Sequence, residues 1–263
     1  MIAADAGAGL LLETPTWRAN PDWGRILGYD AVALDRVNRA AVALVRAAVD
    51  VAEVPHSRVS GCVCPRGDGY LAEGVDADEA ASYHAPQIRS LAEGGADLVH
   101  AMTLTEPAEA IGVVRAARAA NVPVAVSFTV ETDGRLPDGS TLAEAITAVE
   151  TAAPADYYGV NCAHPAHVSA GLDGGVWQQR LTFFRPNAST LSHAELDVLL
   201  KRTKRRNDRP LVEKIKDLLP AREPLYAQAD IVVQSRDEPH DTIVDEIMAQ
   251  LPKRLGLGGE KLP

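Results

Sequence analysis

The sequence predicts an α/β fold with a mostly parallel sheet: a truncated (β/α)8 barrel of the TIM type, followed by a tail of helix and one strand. The first observation behind this is a set of short apolar runs that are continuous rather than alternating, as strands covered on both faces require. The second is the helical stretch after each run, at about 35 to 45 residues per unit up to Cys162, which suits a barrel of roughly 250 residues better than an open sheet. The third is the lack of any Gly-x-Gly-x-x-Gly after a strand or Gly-x-x-x-x-Gly-Lys-Ser/Thr, the marks of the mononucleotide-binding alternatives.

Taken in order, residues 8–13 (Ala-Gly-Leu-Leu-Leu-Glu) form the first strand and stop at Thr14-Pro15. A strand so close to Met1 leaves no room for one before it. Residues 16–23 read as a loop, and residues 31–52 as a helix whose Val37, Ala41, Leu44, Val45 and Ala48 share a face. Residues 58–62 are the second strand. It opens a Gly- and Cys-bearing loop, Gly61-Cys62-Val63-Cys64-Pro65-Arg66-Gly67-Asp68-Gly69-Tyr70. A helix from Asp76 has Asp76 and Glu79 placed as a capping box, Pro86 as a kink or the start of its second half, and Gly94-Gly95 as a stop. Strand 97–102, helix 106–120, strand 123–129 and helix 141–151 follow, with turns at Asp133-Gly134 and Asp138-Gly139. Residues 157–160 are a buried strand, whose tip Asn161-Cys162-Ala163-His164 carries an amide, a thiol and an imidazole before Pro165 breaks the chain. From the tip alone, both a buried structural thiol and a ligand or nucleophile fit Cys162.

Composition narrows the function classes. A net charge of -10 argues against a general nucleic-acid or anionic-membrane binder. No run approaches the roughly 18 apolar residues of a membrane span, and the first residues lack a basic signal region. The chain reads as cytoplasmic. Its three cysteines cannot all pair, which favours thiol or metal chemistry over a disulfide framework. The Cys62-x-Cys64 spacing is not that of a zinc knuckle.

Several strand-tip segments together resemble the homocysteine S-methyltransferase family over about residues 5 to 193. They are Leu12-Glu13-Thr14-Pro15-Thr16-Trp17-Arg18-Ala19, Pro65-Arg66-Gly67-Asp68-Gly69-Tyr70, Ser127-Phe128-Thr129, Gly159-Val160-Asn161-Cys162-Ala163-His164-Pro165 and Arg185-Pro186-Asn187-Ala188. The resemblance implies a barrel, homocysteine and a methyl donor as small-molecule substrates, and methyl transfer to a zinc-held thiolate. Cys162 matches the first zinc ligand, and Glu13, Thr14 and Asn161 stand at substrate-binding positions. The chain departs from the family in three places. No cysteine follows Cys162 to supply the Gly-Gly-Cys-Cys ligands, the opening Asp-Gly-Gly-x-Gly strand is missing, and Met102 stands where a glutamate is usual. Impaired catalysis is therefore expected, unless Cys62, Cys64 and His164 or His167 join Cys162 around a zinc ion.

From residue 194 the character changes. Lys201, Arg202, Lys204, Arg205, Arg206 and Arg209 crowd into nine positions. Leu196 to Thr203, Arg209-Pro210-Leu211-Val212, Arg222-Glu223-Pro224-Leu225-Tyr226 and Ala229 to Val233 resemble the C-terminal third of shikimate kinases, ahead of a last helix near residues 242–251. In that resemblance Arg209 covers ATP phosphates and Arg222 grips the shikimate carboxylate, tasks that suit a bidentate guanidinium. The domains expected are 1–193 and 194–263. Besides the methyltransferase reading, an ATP-dependent shikimate kinase relative and a non-catalytic fusion stay open. A strand at 230–234 is expected to complete the barrel edge.

Overall fold

The computed structural model describes residues 8–196 and Val198, apart from Glu53 and Asp68. Met1–Glu195 forms one compact unit, and the chain from Leu196 onward forms a second. The first unit is an α/β half-barrel. Its strands are β1 (Leu11–Glu13), β2 (Arg58–Val63), β3 (Leu98–Leu104), β4 (Val124–Phe128), β5 (Tyr157–Asn161) and β6 (Leu181–Arg185). They make one six-stranded sheet in chain order, every neighbouring pair parallel. Parallel neighbours need a crossover. These are α1 (Pro21–Leu27) with α2 (Ala31–Ala52), then α3 (Ala77–Glu93), α4 (Pro107–Ala119), α5 (Leu142–Ala152), and α6 (Pro165–Ala170) with a short 3-10 turn at Val176–Arg180. The sheet curls without closing: Glu13 on β1 and Arg185 on β6, at opposite edges, bond to each other across the concave side.

Alternation along each strand sorts residues between two environments. Val59, Val63, Val99, Val124, Val126, Phe128, Tyr158 and Val160 face the helices and share one core with Val42, Ile88, Leu91, Val113, Ile146 and Val149. The opposite positions face the concave interior and mix polar side chains, among them Glu13, His100 and Arg185, with apolar ones such as Met102 and Phe183. Where α3 and α4 meet, Gly112 admits a close approach. A Cβ there would stand 2.5 Å from the Ala80 Cβ and 2.7 Å from the Ala77 carbonyl oxygen.

Helix ends follow their local chemistry. Asp76 accepts from the amides of Asp78 and Glu79. Thr141 and Glu144 form a reciprocal capping box at α5. Helix α3 runs continuously through Pro86. Two expectations are corrected. The segment after Trp17 is not all loop, because Asn20 caps the amide of Trp23 and Pro21 starts α1, where its missing N–H costs nothing. Pro165 likewise begins a helix, with the His164 ring as its cap. Strand β6 has exposed positions and no continuous apolar run, so periodicity does not find it; only the Arg185-Pro186-Asn187 resemblance did. The expected strand at 230–234 and helix near 242–251 lie outside the described residues.

Candidate functional site

The strand tips build the site. Thr14 and Thr16 follow β1, and their hydroxyls share a 2.7 Å bond. The Thr14 Oγ1 accepts the Cys62 amide at 3.0 Å, and the Thr16 hydroxyl donates to the Cys62 carbonyl at 2.7 Å. Thr14 is thus a buried stitch between the first two tips.

Asn161, wholly buried at the end of β5, ties β5 to β3. Its Oδ1 accepts the Thr103 amide at 2.8 Å, while its Nδ2 faces the Thr103 Oγ1 at 2.7 Å and the Cys162 Sγ at 3.1 Å. The Thr103 hydroxyl also lies 3.6 Å from that sulfur. Thr103 and Cys162 both hold left-handed backbone, at φ of 65° and 57°. For a β-branched residue this conformation is a true outlier, kept only where the surroundings over-determine it. Further bonds do so here. The Cys162 amide donates to the Arg185 carbonyl, and its own carbonyl accepts from Asn187 Nδ2 at 2.8 Å and His193 Nε2 at 3.0 Å. His193 is held in turn by Glu131 at 2.7 Å and by the Tyr70 ring, 4.2 Å away between centroids. The loop bearing Tyr70 is fastened by Glu106, whose carboxylate accepts the amides of Glu73, Gly74 and Val75. Burial pushes the Glu106 carboxyl up against the pull of those three donors.

One layer deeper in the half-barrel, Glu13 accepts from His100 Nδ1 at 2.9 Å and from Arg185. Burial raises its pKa, but those two partners outweigh burial and hold the carboxyl below its ordinary value. Arg185 also reaches the Met102 sulfur at 3.6 Å, and Cys62 Sγ touches the same sulfur at 3.7 Å. Burial first, then the Glu13 charge, pushes the Cys62 thiol far up.

The expected ligands therefore part company. Cys162 sits with Asn161 and Thr103, and Cys62 with Met102. Cys64 takes a 3.2 Å bond from Asn20, and burial pushes its thiol up to about 12. His164 Nδ1 accepts the Ala166 amide, and His167 turns to the Thr190 carbonyl. Among the described residues no group of three His, Cys, Asp or Glu side chains is gathered as a metal ion needs. The donor set for a zinc shared by Cys62, Cys64, Cys162 and His164 is not assembled, and the chain has no fourth cysteine. Arg209 and Arg222 lie outside the described residues.

Sequence reasoning missed Thr103, Asn187 and His193 as supports of Cys162, and Arg185 as the partner of Glu13. Asn187 and Arg185 stood inside a quoted motif, which was a usable signal. Nothing local marks His193, 31 positions from the carbonyl it meets.

Comparison with known proteins bears on the fold and the family. The solved metallated form of the homocysteine methyltransferase MmuM from Escherichia coli superposes with a TM-score of 0.61 at 22% identity, covering 75% of this chain and 72% of that one. Its oxidised form gives 0.60 at 20% identity, over 75% and 80%. At such identities the likeness establishes the fold. The C-terminal region resembles shikimate kinase. The Rhodopseudomonas palustris enzyme is 44% identical over 87 residues, covering 30% of this chain and 43% of its own. That of Nitrobacter winogradskyi is 48% identical over 71 residues, 25% and 33%. The chain thus spans less than half the length of these curated relatives. The family model for homocysteine S-methyltransferase matches residues 3–217, most of the 263, and the chain belongs to that family.

Proposed function

We propose that residues 1–193 are a homocysteine-binding half-barrel of methyltransferase ancestry with impaired methyl transfer, joined at residue 194 to a kinase-like remnant. The observation that carries this is the Cys162 thiol, held at the β5 tip between Asn161 and Thr103 on a strained, heavily bonded turn. In the family, a zinc ion lowers the pKa of the substrate thiol so that its sulfur can attack a methyl donor; the residues here do not fit that ion. A free thiol of pKa near 8.5 is only about 3% ionised at pH 7, so the missing activation alone costs roughly 30-fold in nucleophile. What the chain retains is positioning, with Glu13, Thr14 and Asn161 as the residues shaping the substrate end. Three free cysteines suit a reducing, cytoplasmic setting. No described helix is long and apolar enough to cross a membrane.

Two measurements test the reading on the full chain. Metal analysis after purification without added zinc should find below about 0.1 equivalent. Calorimetric titration with homocysteine should show binding that Cys162→Ser weakens. A full equivalent of zinc, or no homocysteine binding, overturns it.

The shikimate kinase likeness supports a narrower second reading, in which Arg209 and Arg222 bind oxyanions. The sequence holds no Gly-x-x-x-x-Gly-Lys-Ser/Thr motif of the kind that cradles nucleotide phosphates, so phosphoryl transfer by this sequence is not expected. Sub-millimolar binding of ATP or shikimate, lost in Arg222→Ala, would promote this reading.

A further inference from the structure

At the rim of the strand tips one cation stands without a counter-charge. Among the described residues five arginines are half-buried: Arg18, Arg39, Arg46, Arg66 and Arg180. Four of them meet a carboxylate, Arg39 at Asp35 (2.9 Å), Arg46 at Asp97 (2.8 Å), Arg66 at Glu79 (2.6 Å) and Arg180 at Glu150 (3.0 Å). Arg18 meets none among the described residues, and its hydrogen bond to the Gly67 carbonyl is long, at 3.4 Å. Taking a guanidinium part-way out of water without a matching anion is unfavourable, so the unmatched one marks a place for a ligand's negative group. Two indoles hold it instead: the Arg18 guanidinium carbon lies over the Trp17 and Trp23 rings, 4.5 Å from each centroid. Ring faces attract a cation without using its N–H groups, so the planar fork keeps donors for a bidentate oxyanion. Asp22, next to Trp23 in the chain, is taken up by Arg25 and by the Tyr83 hydroxyl at 2.8 Å. The cation also borders the thiol's turn. A Cβ at Gly69 would stand 3.4 Å from the Trp17 indole and 3.7 Å from the Thr103 Cγ2, and the Thr103 hydroxyl lies 3.6 Å from the Cys162 Sγ. At the second tip, burial pushes the Cys64 thiol up while the nearby Arg18 charge pulls against it.

We propose that Arg18, held by Trp17 and Trp23, is the carboxylate clamp of the strand-tip site, taking the α-carboxylate of an amino acid whose side chain extends toward the Cys162 turn. This rests on the reading of the tip as an amino-acid site, and it gives recognition of the acid group to a residue that the reading leaves unused.

The probes are L-methionine, which is homocysteine with its thiol methylated, and the decarboxylated analogue 3-(methylthio)propylamine. Both are titrated into the full chain by calorimetry and by tryptophan emission, since Trp17 and Trp23 flank the cation. Methionine should bind in the millimolar range or tighter, and the amine about tenfold more weakly, the loss of one charge-assisted pair. Arg18→Gln should remove that difference by weakening methionine alone. Arg18→Lys, which keeps the charge but not the fork, should restore part of it. A residue that merely braced the loop at Gly67 would alter both ligands alike. The contrast between the two ligands on the unaltered chain does not depend on how a variant folds. Three results overturn the proposal: no methionine binding up to roughly 10 mM, equal binding of the two ligands, or a difference that survives in Arg18→Gln. Neither probe carries a thiol, so Arg18-dependent methionine binding together with failed homocysteine binding would sink the thiol reading and leave the clamp standing.

Discussion

Replacing Asn161 by alanine tests whether one buried amide keeps two strained residues in place. The change removes the acceptor of the Thr103 amide, 2.8 Å away, and the donor to Thr103 Oγ1 and Cys162 Sγ. At zero exposure no water replaces them. An orphaned buried amide costs about 1–3 kcal/mol, and the void of the lost amide adds about 1. Relaxation of the Thr103 backbone from its φ of 65° returns part of its strain, itself about 1–3 kcal/mol. The net loss expected is about 2–3 kcal/mol, or a Tm lower by about 5–10 °C for a unit of this size. Urea denaturation followed by tryptophan fluorescence isolates the half-barrel, because all three tryptophans, Trp17, Trp23 and Trp177, lie in it. Asn161→Asp, which buries a charge and lacks the donor to the sulfur, should lose more than the alanine variant. A loss under about 0.5 kcal/mol in Asn161→Ala, the range of surface substitutions, would refute the view that this amide anchors the tip.

Other expectations follow from the same contacts. Because the Glu13 carboxyl is held below its ordinary value, its stabilisation is complete above about pH 4.3 and lost as pH falls through the lower folded value. Urea midpoints of the native chain should therefore drop toward those of Glu13→Gln between about pH 5 and 3; a constant gap counts against the pairing. Iodoacetamide at pH 8, followed by peptide mass spectrometry, should label half-exposed Cys162 at least about tenfold faster than buried Cys62 and Cys64, whose thiols are pushed up. Equal rates would mean that the tips open in solution. Gly112→Ala forces a methyl to within 2.5 Å of Ala80 and should cost about 1–3 kcal/mol; a neutral result would show that α3 and α4 part easily.

Much of the half-barrel is written locally. The helix at 31–52 and the strands around 58, 98, 124 and 157 stand where continuous apolar runs and amphipathic stretches put them, because doubly covered strands and one-sided helices leave periodic marks. Cap residues such as Asp76 and Thr141 act within three positions and are equally legible. Edge strand β1 was legible from its Leu10-Leu11-Leu12 run, but edge strand β6 was not. β6 is exposed on one side, so it carries no apolar run.

The sequence by itself determined the α/β class, the parallel sheet, the placing of Asn161 and Cys162 at a strand tip, and the chain's store of only three thiols. Tertiary structure decided which groups meet. It sent Cys62 to Met102, Cys64 to Asn20 and Cys162 to Asn161, and it joined Glu13 to Arg185 across 172 positions. The reason is physical. Strand and helix signals repeat within a few residues, whereas sheet curl and backbone strain arise from long-range packing and leave no local trace in the chain.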